Sequence, residues 1–339
     1  MEKALPRKTT PSAPASDFHD LTPEKAIGLV ENALGRRCTN LCRPMNSYIN
    51  RVYEMELEEG GGLIAKFYRP GRWPVSGIRE EHDFLREMAA LEIPVIPPMV
   101  LADGQTLGMH RTLCFAVFPK KGGRTCDELT GEQWPEIGRL LARVHTVGAE
   151  RAATARPVLS PEGATRGQVE FILAGGFVPS HLRQAYGDTA AALIATLTPA
   201  FAGREMIRIH GDCHFGNLIY RPGESFYLID FDDFAVGPPV QDLWLLLPGR
   251  AREAAAEIEL FLEGYETFRP FDRGSLRLIE GLRAMRYIHY TAWCARQAAD
   301  GGFSRLAPDW GTPGYWQQEI RDLEEQLQRI RGEAAGKTM

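Results

Sequence analysis

The run Ile209-His210-Gly211-Asp212-Cys213-His214-Phe215-Gly216-Asn217, followed further on by Leu228-Ile229-Asp230-Phe231-Asp232, carries the residue types that phosphoryl transfer needs. Moving a phosphoryl group from ATP requires a carboxylate that orients or deprotonates the acceptor hydroxyl. It also requires an amide oxygen and a second carboxylate to hold magnesium on the phosphates. Asp212 suits the first task, and Asn217 and Asp230 the second. Gly211 and Gly216 allow a tight loop that turns Asp212 and Asn217 toward one cleft. The apolar runs Leu218-Ile219-Tyr220 and Phe226-Tyr227-Leu228-Ile229 flank a turn at Arg221-Pro222-Gly223-Glu224, which predicts a hairpin returning Asp230 to the side of Asn217. The competing explanation is a surface loop with scattered carboxylates.

Other segments supply what such a loop must work with. Leu63-Ile64-Ala65-Lys66-Phe67-Tyr68 reads as a strand with a lysine inside it, either a solvated edge residue or a cation placed on nucleotide phosphates. From Gly77 to Leu91 the residues Ile78, Phe84, Leu85, Met88 and Leu91 fall on one helical face, and Glu81 projects near its centre. A carboxylate there needs a partner, and Lys66 is the obvious one. Glu80, about 100° away around the helix, is the second choice. Snorkelling of Glu81 to water is the bland alternative.

Composition excludes several classes. With 339 residues, 44% of them hydrophobic and 24% charged, the chain can build two compact lobes. A formal charge of −5 argues against nonspecific nucleic-acid binding. The longest apolar runs, such as Leu243-Trp244-Leu245-Leu246-Leu247, are far too short for a membrane span. The N-terminus lacks an apolar signal core, so a cytoplasmic enzyme is expected. The six cysteines form no paired metal-binding spacing, so zinc is not expected and reduced, buried thiols are. For Cys213, inside the loop, packing is favoured over redox sensitivity.

The organisation expected is an α+β, bilobal fold. Residues 1–20 are rich in Pro, Ser, Thr and Ala and read as a disordered tail. A β-rich N-lobe with one key helix is expected over 21–118, a hinge over 119–123 and a larger helical C-lobe over 124–333. Thr22-Pro23 should open a first helix and Gly35 stop it. Tyr53, Met55 and Leu57 alternate with Glu54, Glu56 and Glu58, and Gly60-Gly61-Gly62 turns that strand into the Lys66 strand. The Asp103-Gly104 turn and Cys114-Phe115-Ala116-Val117-Phe118 add strands, and Phe118-Pro119-Lys120-Lys121-Gly122-Gly123 resembles a hinge. Beyond it, helical patterns centre on Ile137 to Val144 and run over 251–268, 275–299 and 315–330.

The pattern H-x-D-x-x-x-x-N followed by an Asp after an apolar strand is similar to that of protein kinases. Together with 46–53, 66–70, 115–119, 237–244 and 282–286, it makes the chain resemble bacterial Ser/Thr protein kinases of the aminoglycoside-phosphotransferase and choline-kinase-like superfamily. The resemblance covers about residues 20 to 320. It implies a protein-kinase-like fold with ATP between the lobes, Asp212 as proton acceptor and Asp230 as the second catalytic residue. Magnesium would lie on Asn217 and Asp230. Ser47, Lys66, Glu81 and Phe118 would lie on the nucleotide, although no G-x-G-x-x-G covers the phosphates here. A Ser47 hydroxyl bonded within its own turn is the alternative.

Asp242 either sits at a helix start or accepts hydrogen bonds from the loop backbone. Asp232 and Asp233 are expected as solvated turn carboxylates, with a second metal the alternative. Arg283, Arg286, Tyr287, His289, Tyr290 and Trp293 form a polar and aromatic helix expected to line an acceptor groove, with core packing the alternative for its aromatic residues. The expected activity is ATP- and magnesium-dependent transfer to Ser/Thr hydroxyls by a monomer under stress. Thr9, Thr10, Ser12 and Ser16 are candidate sites of self-phosphorylation. The alternatives are a small-molecule alcohol kinase and a pseudokinase, and retention of Lys66, Asp212, Asn217 and Asp230 together argues against the latter.

Overall fold

The structure, a computed structural model, describes residue 18 and residues 20–300 and 303–335. The candidate phosphorylation sites Thr9, Thr10, Ser12 and Ser16 lie outside the described residues. In the N-terminal part the chain runs through α1 (Pro23–Leu34), β1 (Cys38–Pro44), β2 (Arg51–Leu57), β3 (Gly62–Phe67), α2 (Val75–Ala90), β4 (Gly108–His110) and β5 (Leu113–Pro119). Thr22 caps α1 by accepting from the Lys25 backbone N–H at 3.2 Å, and Gly35 ends it at φ 66°. The strands form one antiparallel sheet in the order β1-β2-β3-β5-β4. Gly60 and Gly61 make the β2–β3 turn at φ 91° and 106°, values open to glycine.

Lys66 faces Val52 on one side and Ala116 on the other, so it stands in a central strand rather than at an edge. Tyr53, Met55, Leu57, Phe67 and Phe115 pack beneath Ala26 and Val30 of α1. Glu54, on the opposite face of β2, is also buried, because Arg43 and Lys120 close over it as ion-pair partners. The expected helix over 77–91 is α2, shifted to Val75–Ala90. Leu91, counted on its apolar face, instead ends the helix and is 54% exposed, because Glu92 turns away at φ 55°.

The remainder is mostly helical, with α3 (Gln133–Glu150), α4 (Arg166–Ala174), α5 (Arg183–Phe201), β6 (Ile207–Ile209), β7 (Leu218–Arg221), β8 (Ser225–Leu228) and β9 (Ala235–Gly237). Then follow α6 (Gln241–Trp244), α7 (Ala255–Tyr265), α8 (Ile279–Gln297), α9 (Phe303–Leu306) and α10 (Pro313–Ala335). The pattern over 251–268 yields only α7, and that over 275–299 opens with a 3₁₀ stretch, Arg273–Leu278, before α8 begins. α4 and α5 carried no clear periodic stripe, and α5 even contains Pro199. Their apolar residues are buried against α8 and α10.

One core joins the two regions. Phe84, Leu85 and Met88 of α2 share it with Leu218, Phe226, Leu228, Phe231 and Phe234, and with Ile137, Leu141 and Val144 of α3. Phe84 meets the rings of both Phe231 and Phe234 at 5.8 Å. The helix bearing Glu81 and the turn after Asp230 are therefore positioned by the same packing. Among the described residues, no helix is long and apolar enough to cross a membrane.

Candidate active site

The loop from His210 to Asn217 leaves β6 and enters β7, and its shape is set from beneath by Asp242. This carboxylate is fully buried at the start of α6. It accepts from the backbone N–H of His210 at 2.7 Å and of Gly211 at 2.8 Å, and its Oδ2 meets His145 Nε2 at 3.0 Å. Both roles read from the sequence are thus met by one side chain. Gln241 donates to the Gly211 carbonyl at 2.9 Å. Gly211 sits at φ 85°, and a Cβ there would lie 2.4 Å from the Asp233 carbonyl, so at this point the loop and the Asp230 turn approach backbone to backbone. His210 Nε2 donates to the Ile229 carbonyl at 2.9 Å, which leaves Nδ1 to accept from the Asp212 N–H at 3.3 Å.

The hairpin forms as the sequence predicts, with Leu218 opposite Leu228 and Arg221 opposite Ser225. Ile229 N–H donates to the Asn217 carbonyl at 3.0 Å, which brings Asp230 beside Asn217. Asn217 Nδ2 donates to the Asp212 backbone carbonyl at 3.0 Å, so its amide nitrogen is committed and its oxygen is the atom able to ligate. Asp230 holds a left-handed backbone at φ 59°, ψ 68°, and its side chain is 54% exposed. Among the described residues no three His, Cys, Asp or Glu side chains form a metal cage. One amide oxygen and one carboxylate is the sparse set that suits magnesium when phosphate oxygens supply further ligands. The residues present fit that ion.

Lys66 lies at the hub of a buried charge network. Its Nζ is 3.1 Å from Asp232, 3.2 Å from Asp230 and 3.5 Å from Glu81. Burial opposes the ammonium, but these carboxylates outweigh it and raise its pKa well above the usual lysine value. Burial raises the Glu81 pKa against the pull of Lys66 and Arg156. Glu80, the second choice, faces elsewhere and accepts from the Thr154 and Ala155 backbone N–H groups at 2.9 and 3.1 Å.

One expectation needs correction. Asp232 is buried, not solvated: Phe231 enters the core and rotates Asp232 inward, where Lys66 and Arg72, at 3.3 Å, hold it. Burial alone would raise its pKa, yet these two cations pull it down to about 2. Asp233 stays 47% exposed but is paired with Arg72 at 2.5 Å.

Arg156 is a component the sequence reading missed. Fully buried, it donates to Glu81 Oε2 at 3.0 Å, to the Asp232 carbonyl at 2.7 Å and to the Gly77 carbonyl at 3.0 Å. It also stacks between Trp73 and Phe234, at 4.6 and 4.3 Å. It precedes Pro157 in an aperiodic segment, so no local signal marks it.

Ser47 lies half-buried in the β1–β2 loop. That loop is held by Asn50 Oδ1 accepting from the Arg69 N–H at 3.1 Å and by Tyr48 against Trp293 of α8 at 5.4 Å. Arg69 reaches on to Gln297 at 2.6 Å and Asp300 at 2.9 Å, so the loop, β3 and α8 form one tied unit. Phe118 is half-buried near the end of β5, opposite Ile64 and edge-on to His82 at 6.3 Å. Cys213 is buried, and burial followed by Asp242 and Asp212 drives its thiol pKa well up, as an inert packed thiol requires.

The Asp212 carboxylate is covered on both oxygens. Arg286 Nη1 of α8 lies 2.8 Å from Oδ1, and His214 Nε2 lies 3.4 Å from Oδ2. Burial opposes the charge, but His214 and Arg286 keep Asp212 well below the usual carboxylate range. Arg286, on the helix expected to line an acceptor groove, therefore reaches the loop.

Comparisons with known proteins agree with this geometry. A family model described as the phosphotransferase enzyme family (APH) matches residues 42–279. Stress response kinase A of Escherichia coli (strain K12) is 38% identical over 316 residues, covering 92% of this chain and 94% of that protein. Serine/threonine protein kinase RdoA of Salmonella typhimurium is 37% identical over 284 residues, or 84% of this chain and 86% of that protein. Among solved structures, an amicoumacin kinase in complex with AMP-PNP, Ca2+ and Ami is similar at TM-score 0.71 and 19% identity, over 90% of this chain and 94% of that one. At that identity the likeness bears on the fold alone. With an Asp-and-Asn loop, a lysine-bearing central strand and a family match across most of its length, the chain belongs to the phosphotransferase enzyme family.

Proposed function

We propose that the chain transfers the γ-phosphoryl group of magnesium-bound ATP to Ser/Thr hydroxyls of proteins, its own included, as a cytoplasmic monomer serving stress protection. The observation that supports the transfer reading is a chain of contacts: Asn217 bonds the Asp212 backbone, the Asp230 turn returns to Asn217, and Lys66, far away in sequence, meets Asp230 at 3.2 Å. The protein acceptor and the stress role rest on relatives named stress response kinase A and serine/threonine protein kinase. In this reading 21–118 and 124–333 act as lobes about a hinge at 119–123, with Ser47 and Phe118 bordering the nucleotide.

Lys66, oriented by Glu81, holds phosphate oxygens. Asn217 and Asp230 hold magnesium, which when bound neutralises charge on those oxygens. Asp212 orients the acceptor hydroxyl and receives its proton as the new oxygen–phosphorus bond forms and the bond to the ADP oxygen breaks.

The test is phosphate transfer by purified protein with magnesium-ATP and a panel of protein and small-alcohol acceptors, read by mass spectrometry, with Asp212→Asn as control. Phosphoserine or phosphothreonine formed by the unaltered chain alone is the expected result. Transfer only to a small alcohol would replace the protein acceptor, and ATP binding without transfer to any acceptor would make the chain a nucleotide-binding pseudokinase.

A further inference from the structure

Arg286 occupies the atom that an acceptor hydroxyl needs. It lies 2.8 Å from Asp212 Oδ1, and its side chain is 45% exposed, so it has room to swing away. α8 carries it at one end of a partly exposed stripe that continues through His289, Tyr290, Trp293 and Arg296. Tyr290 and Trp293 stack at 5.8 Å and 15°, and Trp293 meets Tyr48 beside Ser47. The stripe thus runs from the catalytic carboxylate to the nucleotide loop.

Its charge is positive. Arg296 is exposed, donates to Gln168 at 2.6 Å and lies over the Phe171 ring at 4.3 Å; among the described residues no carboxylate pairs with it. His289 shares a 3.0 Å hydrogen bond with Thr165. Burial, with Arg296 and Arg286 nearby, lowers its pKa to about 4, so it is neutral near pH 7 and leaves the arginines to set the sign. A cationic acceptor entering here meets like charge and leaves Arg286 on Asp212.

We propose that Arg286 determines acceptor specificity by reading a carboxylate that flanks the acceptor hydroxyl: the acceptor's anion draws the guanidinium off Asp212 and frees Oδ1 for the hydroxyl. This rests on the phosphotransfer reading and adds the acceptor class. A planar guanidinium that exchanges one carboxylate for another keeps its charge-assisted bonds throughout, so the exchange costs little.

The experiment compares kcat/KM for serine peptides with acidic, neutral or basic flanks, and for homoserine against its carboxamide, in the unaltered chain and in Arg286→Ala, Arg286→Lys and Arg286→Glu. Ratios are read within each variant, so loss of folded protein cancels. The expected result is a preference of about 10-fold or more for the acidic peptide. It should vanish in Arg286→Ala, survive in part in Arg286→Lys and reverse in Arg286→Glu. Peptide phosphorylation without that preference, or with one that Arg286→Ala leaves intact, overturns the proposal while Ser/Thr transfer stands. Transfer to homoserine over its carboxamide but to no peptide, again dependent on Arg286, supports the carboxylate reading and removes the protein acceptor. Transfer to neither pair overturns both.

Discussion

Asp212 and Asp230 lie on either side of one hairpin yet face opposite demands. Asp212 is capped by Arg286 and His214, while Asp230 meets Lys66 at 3.2 Å beside Asn217. Asp212→Asn should bind magnesium-ATP normally while transfer falls by roughly 10²- to 10⁴-fold, the range for losing a general base. Asp230→Asn should weaken metal-nucleotide binding and regain part of its activity at high magnesium. Calorimetric ATP titrations over a magnesium series, paired with single-turnover transfer, separate the two; near-normal transfer by Asp212→Asn sinks its role. Glu81→Ala should lower ATP use and destabilise the fold by about 3–5 kcal/mol, the usual cost of stranding a buried partner, because both Lys66 and Arg156 lose a carboxylate. Glu80→Ala should leave ATP use within a few-fold. Denaturant unfolding and ATP kinetics on both variants check this, and the opposite ranking would show that the helix face was misjudged. Lys66, Glu81, Asp212, Asn217 and Asp230 were legible because each breaks an apolar pattern or sits in a spaced motif. Arg156 was not, since its partners are reached only through the fold.

At the level of elements, α6 supports the loop through Asp242, which serves two backbone N–H groups and His145 with two oxygens. Asp242→Asn replaces one acceptor with a donor. A buried N–H then loses its partner, and a stability loss of about 1–3 kcal/mol is expected together with slower transfer. Nucleotide affinity should change little, because Lys66 and Asp230 are held by α2 and the hairpin instead. Urea unfolding with single-turnover assays measures both effects, and a fully stable, fully active variant would contradict the supporting role. The sequence left two roles open for Asp242 because a Pro-Pro-x-x-Asp run marks a helix start but says nothing of what approaches it. Similarly, the apolar pattern over 251–268 overstated α7, since helix ends depend on local turns more than on hydrophobic content.

The whole molecule carries a pH dependence away from the candidate site, where α10 docks on α8. Glu319 is buried there and accepts from Thr291 at 2.9 Å. Burial raises its pKa, against the Thr291 hydrogen bond and with help from Asp322, to about 7. The folded state therefore binds this proton more tightly than the unfolded chain, whose glutamate titrates at about 4.3. Stability should fall as pH rises from there toward about 7 and then level off. Glu319→Gln keeps the Thr291 hydrogen bond and removes the titration. It should be more stable than the unaltered chain at pH 8, by on the order of 3–4 kcal/mol, and equal to it near pH 4. Denaturation midpoints at both pH values check this, and an unchanged slope in the variant would remove Glu319 as its source.

By itself the sequence determined the family and the architecture. The spaced Asp212, Asn217 and Asp230, the lysine in a strand, the alternation of β2 and the helical periods beyond residue 124 are local patterns, and local patterns survive without knowledge of what packs on them. Only the tertiary structure decided which charges meet. Asp232 turned inward because Phe231 entered the shared core, Arg156 found Glu81 across a long separation, and Arg286 of α8 reached Asp212 from far along the chain. Those pairings arise from burial and the desolvation of ions, which depend on the whole chain having folded and leave no period or spacing in the sequence.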